Sequence, residues 1–249
     1  MSQPEADQPK PVTQRVRPEL TRLPPLTPWR KMARWLLVRL IRLVVHLLTR
    51  VEVVGAENTP LTGPVLVVSN HLGDADLALG LAFSARQVDA VTKADLYDFP
   101  LLGWLMELYG VIWVHRGQPD RRALRAVLQG LDEGRMVAIA PEGRESVTGE
   151  LEEGTPGAAY LALKANAPLL PVTFTGTENR LVYGSLKKFR RAKIILRVGK
   201  PFYLSSGDNW RRSIEQGTEQ IMRTLAEQLP PEYRGVYSEV INLEVKNDR

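Results

Sequence analysis

Short apolar, β-branched runs alternate with longer helical stretches along most of this 249-residue chain, and this alternation restricts the fold more than any other feature. The candidate strands are residues 51–54, 65–69, 90–92, 111–114, 136–140, 170–175 and 194–198. The candidate helices are residues 76–85, 101–108, 120–133, 156–165 and 209–228. Continuous apolar runs such as Val65-Leu66-Val67-Val68 read as buried strands. The pattern predicts an α/β fold with a largely parallel or mixed central sheet flanked by helices. No internal repeat and no long linker follows residue 50, so residues 51–228 are read as one domain. Residues 229–249 are read as a polar tail that frays.

The N-terminal part is different. Residues 1–28 are rich in Pro, Gln, Glu and Arg and have neither apolar periodicity nor a charged-then-apolar signal pattern. They are expected to form a disordered arm. In residues 29–50, Arg39, Arg42 and His46 fall at spacings of three and four and share one helix face. Leu36, Leu37, Leu40, Leu43, Val44, Leu47 and Leu48 form a broad opposite face, and Arg30, Lys31 and Arg34 add charge at the start. No 18-residue run is free of charge, which argues against a spanning helix. A helix lying in the headgroup plane fits, with its arginines toward anionic phosphates. The competing reading is an amphipathic helix packed on its own domain. The expected placement is therefore monotopic and membrane-associated, on the cytoplasmic face, with membrane lipids as partners. The net charge of +5 suits an anionic partner. Nucleic acid is not expected, because no recognised module or interleaved stacking residues accompany the charge.

With no cysteine, the chain has no disulfide, thiolate nucleophile or cysteine-ligated metal. No metal site and no cofactor are expected. The chemistry must come from segments at strand ends, where α/β proteins build their sites. The first is Ser69-Asn70-His71-Leu72-Gly73-Asp74-Ala75-Asp76. A histidine emerges from a buried strand and a carboxylate follows five positions later, as expected of a general base and its orienting partner. On a regular helix the two do not align, so contact requires His71 in the turn and Asp76 at the helix start. The alternative is a buried histidine with Asp76 acting only as a helix cap. Of the other two histidines, His46 lies in the basic stretch and His115 ends a second apolar run. Neither is expected to have a comparably placed carboxylate. The second segment, Gly110 to Gly117, is a strand running into Arg116, which suits an anion or a surface edge. The third, Ala140-Pro141-Glu142-Gly143-Arg144-Glu145-Ser146, is a charged turn in which Gly143 permits a positive φ or a close backbone approach. The fourth, Ala167 to Val172, is an apolar strand between prolines, suited to a tunnel wall or to the core.

In this order and at these spacings, the four segments resemble the glycerolipid acyltransferase family, typified by 1-acylglycerol-3-phosphate acyltransferases. The family's Asn-His-x4-Asp signature is matched by Asn70, His71 and Asp76, and its strand ending in arginine by Gly110 to Arg116. Its Pro-Glu-Gly-Thr-Arg-Ser signature is matched at Pro141, Glu142, Gly143 and Ser146, and its apolar strand between prolines at Pro168 to Pro171. Lys93 stands where family members often carry a lysine. The resemblance covers roughly residues 50–205.

It implies transfer of a fatty acyl group from a thioester, acyl-CoA or acyl carrier protein, to the hydroxyl of a lysophospholipid acceptor, lysophosphatidate foremost, in phospholipid synthesis. His71 would be the base and Asp76 its orienter. Glu142 and Gly143 would bind the glycerol-like headgroup. Lys93, Arg116 and Arg144 would hold its phosphate, and backbone N–H groups near the His71 turn would serve as oxyanion donors. One departure stands out: the family's Thr-Arg pair is here Arg144-Glu145. That leaves open a different lysolipid, an amino-acid lipid or a glycolipid as acceptor. A membrane-binding protein without catalysis is the alternative from another class.

Overall fold

The computed structural model describes residues 17–115 and 120–239. It is a seven-stranded sheet with helices on both faces. In chain order the elements are α1 (Pro28–Leu48), β1 (Thr49–Val54), β2 (Val65–Ser69), α2 (Ala75–Phe83), β3 (Val88–Lys93), α3 (Pro100–Tyr109) and β4 (Ile112–Val114). They continue with α4 (Arg121–Asp132), β5 (Met136–Ile139), α5 (Gly157–Ala165), β6 (Leu169–Thr175), α6 (Asn179–Lys187), β7 (Ala192–Val198) and α7 (Trp210–Gln228).

The strand order is β1-β7-β6-β2-β5-β3-β4. Strands β6, β2, β5, β3 and β4 are mutually parallel. Strand β7 is antiparallel to β6, and β1 runs parallel to β7. The starts of β1 and β7 therefore lie at the edge where the parallel strands end. Helices α1, α2 and α3 cover one face through a core that includes Leu79, Tyr109 and Trp113. Helices α4, α5 and α7 cover the other, around Val127, Leu161 and Ile221. Both faces of the central strands are buried, which is why they read as continuous apolar runs. Every expected strand and helix is present, with ends shifted by up to two residues. Helix α6 is an addition, amphipathic over only nine residues, with Val182 as its buried contact.

Four boundary expectations change. Residues 17–27, expected within a disordered arm, pack on the domain: Leu20 and Thr21 are buried, and Arg135 donates to the Pro24 carbonyl at 2.9 Å. Residues 1–16 lie outside the described residues. Helix α1, expected to run to residue 50, ends at Leu48, and Thr49 and Arg50 open β1, because a β-branched run takes over. The tail is ordered to residue 239: Leu229 and Tyr237 are buried, and the Leu151 N–H donates to the Tyr233 carbonyl. Residues 240–249 lie outside the described residues.

The fourth change concerns Arg34, which is not part of any lipid-facing charge. It is 1% exposed and its Nη2 stands 2.5 Å from the carboxylate of Asp89, itself 2% exposed. Nε donates to Tyr109 O and Nη2 also to Gly110 O. This pair fastens α1 to β3 and to the end of α3. The apolar residues of α1 consequently divide. Leu37, Val38, Ile41 and Val45 face the core, whereas Trp29, Met32, Leu36, Leu40, Leu43 and Leu47 are exposed. No helix among the described residues is long and apolar enough to cross a membrane.

Candidate active site

Strand β2 ends at Ser69, and the side chain of Asn70 continues its pairing with β6. The amide donates to Phe174 O at 2.9 Å and accepts from Phe174 N–H at 2.8 Å. This substitution of a side chain for backbone releases His71 into the turn before α2. Asp76, in the first turn of α2 and 5% exposed, meets it: His71 Nδ1 lies 2.8 Å from Asp76 Oδ2. The same oxygen accepts from Leu72 N–H at 2.7 Å and Gly73 N–H at 3.0 Å. Because this oxygen already receives two backbone N–H groups and acts as an acceptor, the imidazole meets it with a proton on Nδ1, and the Nε2 lone pair is left available. Gly73 is needed here, since a Cβ would collide with Thr177 O and Asn179.

The turn after β5 approaches from the neighbouring strand. Gly143 has φ 76° and its N–H donates to Ala140 O, a left-handed turn suited to glycine. Glu142 is buried beside His71. One carboxylate oxygen accepts from His71 N–H at 3.2 Å and the other from Glu152 N–H at 3.1 Å. Burial pushes the Glu142 carboxyl up to about 7, against the opposing pull of these N–H groups. Ser146 N–H donates to His71 O at 2.8 Å and completes the tie between the two turns.

His71, Asp76, Glu142, Gly143 and Arg144 thus surround one cavity of about 1010 Å³. Most of its lining is apolar, including Leu77, Gly80 and Leu81 of α2 and Leu170, Val172 and Phe174 of β6. This is the upper end of the usual size of ligand pockets, about 300–1,000 Å³. The proline-bounded strand is therefore a wall of the cavity and of the core together.

The two other expected phosphate ligands are placed differently. Lys93 ends β3, two strands from β2, at the same sheet edge but outside the cavity lining. Arg116 lies outside the described residues. Arg144 does reach the cavity mouth, but Glu152 holds it, with Nε and Nη2 at 2.9 and 2.6 Å from Oε2. The arginine remains 62% exposed. Glu145, in the family's arginine position, accepts from Asn179 Nδ2 at 2.8 Å, and Asn179 Oδ1 accepts from Asp74 N–H at 3.0 Å. The N–H groups of His71, Leu72 and Gly73 are all occupied by carboxylates, so the turn is not the source of oxyanion donors.

Sequence reasoning missed a second pair. His115 does have a carboxylate five residues on, Asp120, and their side chains lie 3.2 Å apart. The repeated His-x4-Asp spacing was the available signal. Both ring nitrogens of His115 are engaged, Nε2 by the Arg17 N–H at 3.0 Å and Nδ1 by Asp120 and Thr21. This pair anchors residues 17–21 and caps α4 through Asp120; it leaves no free base.

Known proteins resemble this chain in sequence and in fold. The profile of the acyltransferase family matches residues 50–175. A 1-acyl-sn-glycerol-3-phosphate acyltransferase of Saccharomyces cerevisiae is 28% identical over 87% of this chain and 78% of its own length. One from Pseudomonas aeruginosa is 30% identical over 59% of this chain and 60% of its own. A chloroplastic one from Brassica napus is 28% identical over 64% of this chain, which spans 47% of the relative's length. The chain spans about half the length of the chloroplast relatives it matches. The crystal structure of the 1-acyl-sn-glycerophosphate acyltransferase PlsC from Thermotoga maritima superposes with a TM-score of 0.60 at 25% identity, covering 82% of this chain and 84% of that one.

Proposed function

The chain belongs to the acyltransferase family, and we propose that it transfers a fatty acyl group from a thioester, acyl-CoA or acyl carrier protein, to the hydroxyl of lysophosphatidate. The observation that carries this reading is the His71–Asp76 pair at the mouth of an apolar cavity, tied through Glu142 to the charged turn. The apolar lining suits an acyl chain. His71 Nε2 takes the proton of the acceptor hydroxyl as its oxygen attacks the thioester carbonyl. Asp76 keeps the imidazole in that tautomer and stabilises the imidazolium that forms. Collapse of the tetrahedral intermediate expels the thiolate, which recovers the proton from His71. No covalent acyl-enzyme is required. Glu142 and Gly143 shape the headgroup site, and Arg144 supplies its positive charge.

The substrates are lipids, and α1 offers the surface to meet them. Trp29, Met32, Leu36, Leu40, Leu43 and Leu47 make an outward apolar stripe, with Lys31, Arg39 and Arg42 beside it. Leu101 and Trp104 of the adjoining α3 are also exposed. This surface suits monotopic attachment to an anionic bilayer. The cytoplasmic face is the side on which the thioester carriers occur.

A second reading keeps the reaction and changes the acceptor. It is favoured by Arg144 being paired with Glu152 and by an acid at residue 145. The test is mass spectrometry of products formed by the purified full chain from acyl-CoA or acyl carrier protein thioester and a panel of lysolipids. Phosphatidate from lysophosphatidate is the expected product. Acylation confined to another lysolipid establishes the second reading, and no acylation of any acceptor overturns both.

A further inference from the structure

Phe189 is 101% exposed and sits in a basic turn, Lys187-Lys188-Phe189-Arg190-Arg191, between α6 and β7. We propose that this turn is a membrane-inserting finger: Phe189 enters the acyl region of an anionic bilayer while Lys187, Lys188 and Arg190 meet its headgroups. The inference rests on the membrane reading of α1 and adds a second, separate contact to it.

Four observations converge. First, the phenyl ring is presented by a fixed turn. Phe189 has φ 52°, a left-handed conformation uncommon outside glycine. The N–H groups of Lys188 and Arg190 both donate to Ser185 O, and that of Phe189 to Leu186 O. Second, Lys187, Lys188 and Arg190 are exposed, and none of them pairs with a carboxylate among the described residues. An aromatic tip inside a cationic collar matches the layering of an anionic bilayer, apolar below and phosphate above. Third, Arg191 fastens the turn to the end of α1, its Nε donating to Thr49 O at 2.8 Å and its Nη2 to His46 O. The finger therefore stands at the C-terminal end of α1, where its outward stripe ends. Fourth, β7 runs against the parallel strands, so its start lies at the sheet edge that carries His71 and Glu142. Helix α6 joins the two places. Asn179 at its start bonds Glu145 and Asp74, and its other end leads into the finger about 13 Å away, at 1.5 Å per residue over nine residues. Insertion there brings the bilayer surface to the mouth of the cavity.

The chain contains no cysteine, so Phe189→Cys takes a single environment-sensitive fluorophore on the full chain. Leu61→Cys is the reference, an exposed position before β2 at the opposite sheet edge. Each labelled protein is mixed with vesicles of phosphatidylcholine and phosphatidylglycerol, and sedimentation is followed in parallel. Circular dichroism verifies folding. The expected result is a blue shift and protection from iodide for the label at 189 and none at 61. In the otherwise unchanged chain, Lys187→Gln with Lys188→Gln lowers vesicle affinity roughly thirtyfold, because each basic residue near such a surface contributes about fivefold. Sedimentation with vesicles while the label at 189 stays in water overturns the finger and leaves the α1 reading standing. No sedimentation overturns both. A response to purified acyl carrier protein but not to vesicles makes the turn a protein-docking site and overturns the proposal.

Discussion

His71 Nδ1 lies 2.8 Å from Asp76 Oδ2, and the same oxygen also receives the N–H groups of Leu72 and Gly73. Asp76 therefore organises the turn and fixes the tautomer together. His71→Ala is expected to lower kcat by about 10²–10⁴-fold with the circular dichroism spectrum unchanged. Asp76→Asn should also lower kcat more than it raises the KM for acceptor, since an amide satisfies fewer of the three donors. Near-normal turnover by folded His71→Ala protein ends the mechanism.

Glu142 gives a pH signature in stability. Its carboxyl titrates near 7 in the folded protein, against an ordinary value of 4.5. Between these values the native state holds a proton that the unfolded chain has already lost, so this group's contribution to stability is fully present below pH 4.5 and is lost as pH rises through 7. The contribution is on the order of 3 kcal/mol. Urea unfolding across this range should show Glu142→Gln gaining relative to the parent as pH rises. A parent-to-variant difference independent of pH contradicts the buried, proton-holding carboxyl.

The buried Arg34–Asp89 pair makes α1 part of the domain. Arg34→Ala leaves Asp89 buried without its main partner and should cost about 3–5 kcal/mol by denaturant unfolding. Deleting residues 1–48 would remove the same partner, so loss of vesicle binding in such a truncation reports misfolding. Lys31→Glu with Arg39→Glu is the cleaner test, because both residues are exposed, whereas Arg42 donates to the Ala82 carbonyl of α2: it should weaken binding to anionic vesicles while leaving the melting temperature within a few degrees. Unchanged sedimentation would leave α1 a purely packed helix.

Glu152 competes with an acceptor phosphate for the Arg144 guanidinium. Since Arg144 is mostly exposed, a phosphate dianion can displace the carboxylate. Arg144→Ala should raise the KM for lysophosphatidate more than tenfold, the equivalent of a charge-assisted hydrogen bond worth roughly 1.5–3 kcal/mol. Glu152→Gln should lower it. Arg144→Thr with Glu145→Arg restores the family order and should keep or improve that activity. If none of these changes depends on the acceptor offered, the turn does not select the headgroup.

Much of this protein was determined by local sequence. Periodicity marks the strands because burial on both faces demands uninterrupted apolar residues, as at Val65 to Val68. His71 and Asp76 were legible because a strand end, a turn and a helix start are all encoded within eight residues. The remainder depended on contacts between distant segments. Amphipathic spacing made Arg34 one more charge on a basic helix; only the approach of β3, 55 residues later, supplied the carboxylate that buries it. Spacing left Arg144 an unpartnered cation; only the fold placed Glu152 against it, and Glu145 found its partner 34 residues away in a helix too short to announce itself. Phe189 is fully exposed, which is not written in composition. It is left in water by a turn that packs nothing over it, at an edge where the reversal of β7 brings it beside the end of α1.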